Sequence, residues 1–442
     1  MLEVLLHYVA DMDAKRVETA RLFHRFGFGP KPGEYAAALK IGVASTRKKI
    51  LSASKSTSAS VVSDPQITDL GKRPEPNTPE IIDFAVAKRR QLQDMRLWWL
   101  DLMVLSPNTL TEKMTWFWHG HWATSIEKVE FALPMYLQNK TLRNYCLGDF
   151  NQMAKVMIND GALQIWLDGQ DSTAQAPNEN LARELMELFT IGVNRYTEQD
   201  VKEMARVLTG YQVVRTTGEV KINKNRQDKN PVTVFGSTKS LTSEGLTELL
   251  VMRKDCQQFI PERIWYRFMS SSEKMPANFP AIKAFADRNI KKAIAATMSS
   301  STLANPKYEL VKTPVEWFVA ACRALELVPS QLQSSEQLIN HLSKLGQLPF
   351  APPNVGGWPA GEGWLSSASA LYRVAFANWL IPQSQLRVIQ ETPITSRTAM
   401  SADWLGVPEW SSRTKAVLND NASDPKQFVL MALCSPDYVV SR

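Results

Sequence analysis

Apolar residues recur at intervals of three and four along most of this chain, a pattern that predicts amphipathic helices. The longest such run spans 81–105. Its predicted buried face consists of Phe84, Leu92, Met95, Trp99 and Leu102. Ser106 and Pro107 predict the end of this helix and the start of another, which ends near Gly120. Shorter periodic runs predict further helices over 178–192, 197–210, 280–298, 314–327, 334–345, 366–380 and 425–434.

Strand-like alternation is confined to one short region, 211–236, with candidate strands at 211–215, 219–222 and 232–235. No internal repeat stands out, so the pattern does not predict a solenoid. The sequence therefore predicts a mainly α fold, a single large multi-helix domain over 1–442 with a small β-hairpin element.

Two polar stretches predict long loops. The stretch 52–80 is rich in Ser, Pro and Lys, and we expect it to be disordered or mobile. The stretch 382–412 is also polar, and we expect it to form a long loop.

Composition excludes several classes of protein. Of the 442 residues, 44% are hydrophobic and 21% are charged, which is ordinary for a globular chain. Lys and Arg number 51 against 44 Asp and Glu, and they are dispersed in short clusters, so we do not expect a nucleic-acid interface. The four cysteines lie far apart without a CxxC pair, which predicts neither a zinc knuckle nor a disulfide framework.

The expected location of the protein depends on two kinds of signal, a membrane-spanning run and a secretory signal, and the sequence shows neither. No run reaches the ~18 apolar residues that a membrane-spanning helix needs. The N-terminus lacks the basic start and the small-residue cleavage site of a secretory signal. A cytoplasmic protein is the default expectation, with export by another route left open.

The segment 116–125 carries the first candidate chemistry, because His119 and His121 lie two residues apart among three tryptophans. On an ideal helix two such side chains point about 200° apart. Gly120 would let the helix end between them, so that both could bind one divalent transition metal. The alternative is structural: His119 would favour the negative end of its helix, and His121 would bond a backbone group.

The segment 178–192 carries the second group of residues with candidate chemistry. Glu179, Arg183 and Glu187 follow one another at intervals of four and share a helix face, with Glu184 beside them. Such a face is typical of an exposed helix that carries ion pairs. It would equally suit a polar network inside a helical bundle, where such folds build their sites.

The segment 349–364 is rich in Pro and Gly and contains Trp358 and Trp364. Prolines stiffen the backbone and glycines permit close approach, which predicts a rigid loop over the core that could form a pocket wall. The Walker arrangement of Lys before Ser or Thr is absent, and so are the GxSxG and HExxH motifs.

These segments, in this order, resemble the domain of unknown function 1800 family of bacterial proteins. The resemblance begins at Arg21–Pro30, includes the paired histidines and the 177–192 motif, and extends to a C-terminal signature at 352–358 with Trp364 and Arg373. It covers nearly the whole chain. Members are often encoded beside a sulfatase-like family, number 1501, which implies a shared pathway and a possible partner.

One position departs from the family pattern. A histidine usually precedes the Asp228 position in the β element, and this chain has Gln227 there. If that histidine binds a metal in relatives, this chain would bind metal poorly or differently. A glutamine can still accept a hydrogen bond, so a structural or substrate-orienting role would survive.

Two functions remain open on this basis. The first is an enzyme with an inter-helix site for metal-assisted hydrolysis or oxidation. Its catalytic candidates are His119, His121, Glu179, Glu184 and Arg183, and its substrate-binding candidates are Arg206, Asp228, Trp358 and Arg373. The second is a non-catalytic accessory protein of a sulfatase-like partner from the 1501 family. The enzyme requires the imidazoles and the carboxylates to meet at one solvent-reachable point.

Overall fold

A computed structural model describes residues 13–52 and 61–441. The start of the chain, on which the cytoplasmic expectation partly depends, and 53–60 of the predicted loop 52–80 lie outside these residues. Within them, residues 61–78 contain no helix or strand, and a helix begins at Pro79.

The described ranges contain 23 α-helices. The first twelve are α1 (Ala14–Arg25), α2 (Glu34–Ile41), α3 (Val43–Leu51), α4 (Pro79–Leu105), α5 (Thr109–His121), α6 (Ile126–Val129), α7 (Ala132–Tyr145), α8 (Phe150–Met157), α9 (Gly161–Trp166), α10 (Glu179–Glu184), α11 (Glu198–Val207) and α12 (Ser243–Val251). The others are α13 (Lys254–Phe268), α14 (Pro280–Ala284), α15 (Ile290–Met298), α16 (Pro314–Leu325), α17 (Ser335–Lys344), α18 (Ser367–Leu380), α19 (Arg387–Gln390), α20 (Arg397–Leu405), α21 (Ser412–Asp420), α22 (Pro425–Cys434) and α23 (Pro436–Val439).

Six short strands form three antiparallel pairs in the same ranges. The strands are β1 (Tyr211–Val214), β2 (Glu219–Ile222), β3 (Val232–Val234), β4 (Ser237–Lys239), β5 (Leu310–Val311) and β6 (Val440–Ser441). The pairs are β1 with β2, β3 with β4, and β5 with β6. The predicted mainly α fold with a small hairpin element is therefore confirmed, while the number of domains stays a prediction.

Local capping explains where several helices begin. The Thr197 hydroxyl accepts the Asp200 N–H at 3.2 Å, and the Asp200 carboxylate accepts the Thr197 N–H at 2.9 Å. This capping box starts α11 as the sequence predicts. The prediction of one helix over 280–298 is wrong, because Arg288 adopts a φ of 62° and Asn289 caps a new helix, α15.

Two further predictions need correction. The stretch 382–412 is not a long loop, since it contains α19 and α20. Isolated apolar residues such as Ile389 and Trp404 are buried there and anchor short helices within a polar sequence. The helix predicted over 178–192 changes at Leu185 from α10 into a π-helical segment, Leu185–Thr190.

The buried apolar residues form two clusters, and α5 contributes to both. Trp116 belongs to the first cluster, with the C-terminal half of α4, α16, α18 and α22. Met114, Phe117 and Trp118 belong to the second, with α8, α11, α13 and α15. Within the described ranges, no helix is both long and apolar enough to cross a membrane.

Candidate functional site

His119 lies at the C-terminal end of α5 and faces the first cluster. Its side chain is 1% exposed and contacts the rings of Trp99 and Trp358. The Phe350 N–H donates a hydrogen bond to its Nε2 at 3.2 Å. Burial lowers the pKa of His119 to about 3, so the imidazole is neutral and holds the backbone of the 349–364 loop.

His121 faces the second cluster. Its Nε2 donates a hydrogen bond to the Phe189 carbonyl at 2.9 Å, and its Nδ1 is buried without a hydrogen-bond partner among the described residues. Burial and the nearby charge of Arg263 lower its pKa to about 3. The structural interpretation, in which His121 bonds a backbone group, is confirmed.

The two imidazoles therefore lie in separate surroundings, and each Nε2 is engaged by a backbone group. Phe350 occupies the Nε2 lone pair of His119, and the Nε2 of His121 carries the proton that it donates to Phe189. Residues 13–52 and 61–441 contain no group of three His, Cys, Asp or Glu side chains placed to hold a metal ion.

The predicted carboxylate and arginine face of α10 lies at the surface. The Arg183 guanidinium donates to both Glu198 oxygens at 2.8 Å and to Glu179 at 3.2 Å, and all three side chains are 32–68% exposed. Burial and the charge of Glu187 raise the pKa of the half-buried Glu184. Among the described residues, no hydrogen bond or ion pair joins Glu179 or Glu184 to either histidine.

Arg206 and Asp228 bind each other. The Arg206 Nε donates to Asp228 at 2.8 Å, and the Asp228 N–H donates to the Thr209 hydroxyl at 2.8 Å. Burial alone would raise the pKa of Asp228, but hydrogen bonds from Arg206 and Asn230 outweigh it and lower that pKa. This pair connects the end of α11 to the β element, and Gln227 packs there against Gly210.

The 349–364 loop packs over the core, as the sequence predicts, while its rigidity stays a prediction. Trp358 is 4% exposed and stacks on Trp116 with ring centroids 4.9 Å apart. Gly357 adopts a φ of +80°, and a Cβ there would lie 2.3 Å from the Gly120 carbonyl oxygen. Arg267 donates to the Trp358 carbonyl and to the Pro359 carbonyl, the latter at 3.0 Å. Because Trp358 and Trp364 are buried, the loop does not present them as a contact surface.

A cavity of about 40 Å³ lies beneath this loop. That volume is several times the ~10–15 Å³ that one water molecule requires. The walls of the cavity come from α5, the end of α13, β5, the start of α16 and the loop. The polar and aromatic side chains that line it include Lys113, Trp116, Arg267, Glu316, Gln347 and Trp358. Of these residues, only Trp358 was a site candidate from the sequence.

The charged groups around the cavity are mostly cationic. Lys113 is 4% exposed and forms an ion pair with Glu316, and that pairing outweighs burial and lowers the pKa of Glu316. Arg267 lines the cavity, donates hydrogen bonds to two backbone carbonyls and lies over the ring of Tyr266. Burial lowers the pKa of the adjacent Lys312 to about 7, with Glu316 opposing this shift and Lys113, Arg25 and Arg373 reinforcing it.

Arg373, a substrate-binding candidate from the sequence, belongs to this cationic group. Its side chain is 3% exposed, and its Nη1 donates to the Trp364 carbonyl at 2.9 Å. Its Nε and Nη2 have no hydrogen-bond partner among the described residues. Burial lowers its pKa. A buried guanidinium with unused donors is an energetic cost unless another group satisfies them.

Sequence reasoning did not name Lys113, Lys312 or Glu316 as site residues; Lys113 lies in a stretch, Glu112–Met114, that takes part in the family resemblance, and the other two do not stand out by spacing. The only local signal is the run Pro314–Glu316 after Thr313, which predicts a helix start with an acidic residue in its first turn. The packing of α1, α5, α16 and α18 brings the buried cations together, so their excess cannot be read from any single stretch of the sequence.

A model of one protein family, described as "Protein of unknown function (DUF1800)", matches residues 21–440. No match was found among curated proteins or among solved structures.

Proposed function

The chain belongs to the DUF1800 family, and we propose that it binds a small oxyanion, or an oxyanion-bearing molecule, in the cavity between Lys113 and Arg267. Carboxylate, sulfate and phosphate groups share this chemistry. The function is binding through buried cations, and His119 supports the site by holding Phe350 in the loop that covers the cavity.

One observation carries the proposal. Two cations and a single carboxylate line the cavity, and the side chain of Lys312 interacts electrostatically with Glu316, Lys113 and Arg373. Glu316 is already paired with Lys113, so the remaining positive charge is buried without a matching anion among these groups. An oxyanion would supply that charge and accept hydrogen bonds from the guanidinium of Arg267.

The test is calorimetric titration of sulfate, phosphate and acetate into the folded protein. Arg267→Gln and Lys312→Met are each expected to weaken binding by about tenfold, as a charged hydrogen bond or a close charge contributes roughly 1.5 kcal/mol. The Lys312 ammonium donates its hydrogen bond to the Tyr438 carbonyl, whereas Arg267 bonds the loop, so Lys312→Met also covers the case in which Arg267→Gln loosens Trp358. Arg90→Gln is the charge-matched control, since Arg90 is 82% exposed on α4.

Equal binding by wild type, Lys312→Met and Arg90→Gln would contradict the proposal, and so would the absence of binding by any of the three anions. Circular dichroism of each variant separates lost binding from lost folding.

An accessory role beside a sulfatase-like partner is our second proposal, and a different observation favours it. On α18, Leu371 is 72% exposed and Tyr372 is 41% exposed, and Leu365 just before the helix is 46% exposed. Such a run of apolar side chains suits a protein contact. Co-purification of the partner should be lost in Leu371→Ser and retained in Ile82→Ser, whose residue is 66% exposed on α4. Retention in both variants would refute this role for α18.

A further inference from the structure

A second cavity, of about 550 Å³, opens between the α2–α3 helix pair, α1 and the start of α5. Its apolar wall consists of Phe23, Ala37, Ala38, Ile41, Ile50 and Pro107. Ile41 is 52% exposed although it lines this wall. The volume lies within the ~300–1,000 Å³ that is usual for pockets that bind small molecules.

The rim of this cavity is cationic. Lys31, Lys49 and Arg323 line it together with one carboxylate, Glu34. Glu34 is already engaged, since its Oε2 accepts the Lys31 N–H at 2.8 Å and the Arg323 Nη2 at 3.2 Å. Neither lysine side chain forms a salt bridge within residues 13–52 and 61–441. Burial, reinforced by the charge of Arg323, lowers the pKa of Lys31, while the charges of Glu34 and Glu326 oppose this shift.

We propose that this cavity binds a single-chain amphiphile with a carboxylate head, of the medium-chain fatty acid class. The hydrocarbon chain would cover the apolar wall, including the exposed face of Ile41, and the carboxylate would lie between Lys31 and Lys49. An apolar wall next to unpaired cations matches both ends of such a molecule, whereas a fully polar anion would leave the wall in water. This site is independent of the Lys113–Arg267 cavity.

The first test measures affinity against chain length with octanoate, decanoate and dodecanoate below their critical micelle concentrations. Each methylene that enters the apolar wall is expected to tighten binding about fourfold. Dodecanol, which has the same chain and no charge, should bind at least about tenfold more weakly than dodecanoate. Affinity that does not change with chain length, or dodecanol that binds as tightly as dodecanoate, would overturn the proposal.

The second test uses variants at exposed or half-buried positions, which leave the core unchanged. Lys31→Gln and Lys49→Gln should each weaken dodecanoate and leave dodecanol unchanged, while Ile41→Ser should weaken both. Lys48→Gln is the matched control, because Lys48 neighbours Lys49 and does not line the cavity. Equal dodecanoate affinity in Lys49→Gln and wild type would refute the head-group assignment. Binding to anionic phospholipid vesicles without binding of free dodecanoate would make the rim a membrane contact and would also overturn the proposal.

Discussion

The segments 116–125 and 178–192 have similar densities of polar side chains, and yet they lie in opposite surroundings. His119 and His121 are 1% and 4% exposed, neutral, and bonded to backbone groups. Arg183 and its carboxylate partners are solvated and paired with one another. Neither segment supplies an unsatisfied charge. The buried lysines Lys113 and Lys312 lie outside both segments, one before the first and one after the second, so motif density is a poor guide to the proposed site in this fold.

The largest expected change in the free energy of unfolding is at His119. His119→Ala removes a ring from an aromatic cage and leaves the buried Phe350 N–H without its acceptor, so the free energy of unfolding should fall by about 3–4 kcal/mol. Urea unfolding measures this. His119→Gln is the control, because its amide oxygen can still accept the Phe350 N–H and should recover part of the loss. Unchanged stability in His119→Ala would place this residue in a cleft and restore the catalytic hypothesis.

The next effect concerns Lys312, whose pKa is about 7 in the folded protein against 10.5 ordinarily. Between these pH values the unfolded chain holds a proton that the folded chain has released, so the stability of the wild type rises with pH. The stabilising effect of Lys312→Met should therefore be greatest at and below pH 7, at about 1–3 kcal/mol, and should shrink towards pH 10.5. Thermal unfolding of the wild type and of Lys312→Met between pH 7 and pH 10.5 tests this expected pH dependence. A difference that stays constant with pH would show that Lys312 is not a buried cation.

The smallest effect is expected at Arg183. Exposed ion pairs contribute little to stability and are screened by salt. Arg183→Ala should leave the urea midpoint within experimental error at physiological ionic strength, and sulfate affinity should not change. A clear loss of stability or of sulfate binding would show that the α10 face is more than a solvated surface.

Much of the fold is predictable from the sequence because its signals are local. The apolar stripe of α4, the capping box at Thr197 and the start of α18 after Ser366 depend only on neighbouring residues. The predictions that failed are those in which tertiary contacts outweigh the local pattern. Arg288 donates four hydrogen bonds, to the carbonyls of Val251, Arg253, Phe285 and Ala286, and these hold the break between α14 and α15.

The candidate site was only partly predictable for the same reason. The covering loop and its tryptophan follow from Pro and Gly at 349–364. Lys113, Lys312 and Glu316 come from three separate stretches, and a lysine in a periodic run looks like any exposed lysine until its neighbours are known. The β5–β6 pair, which closes one side of the cavity by joining Val311 to Val440, links residues more than a hundred positions apart.

The most direct test of the account is to locate a bound oxyanion by anomalous diffraction from crystals of the full chain soaked in selenate. We predict a selenium peak in the cavity beneath Trp358, with selenate oxygens about 2.7–3.2 Å from the donors of Lys113 or Arg267. Selenium peaks confined to exposed arginines such as Arg183, with none in the cavity, would contradict the claim that the buried cations form the binding site.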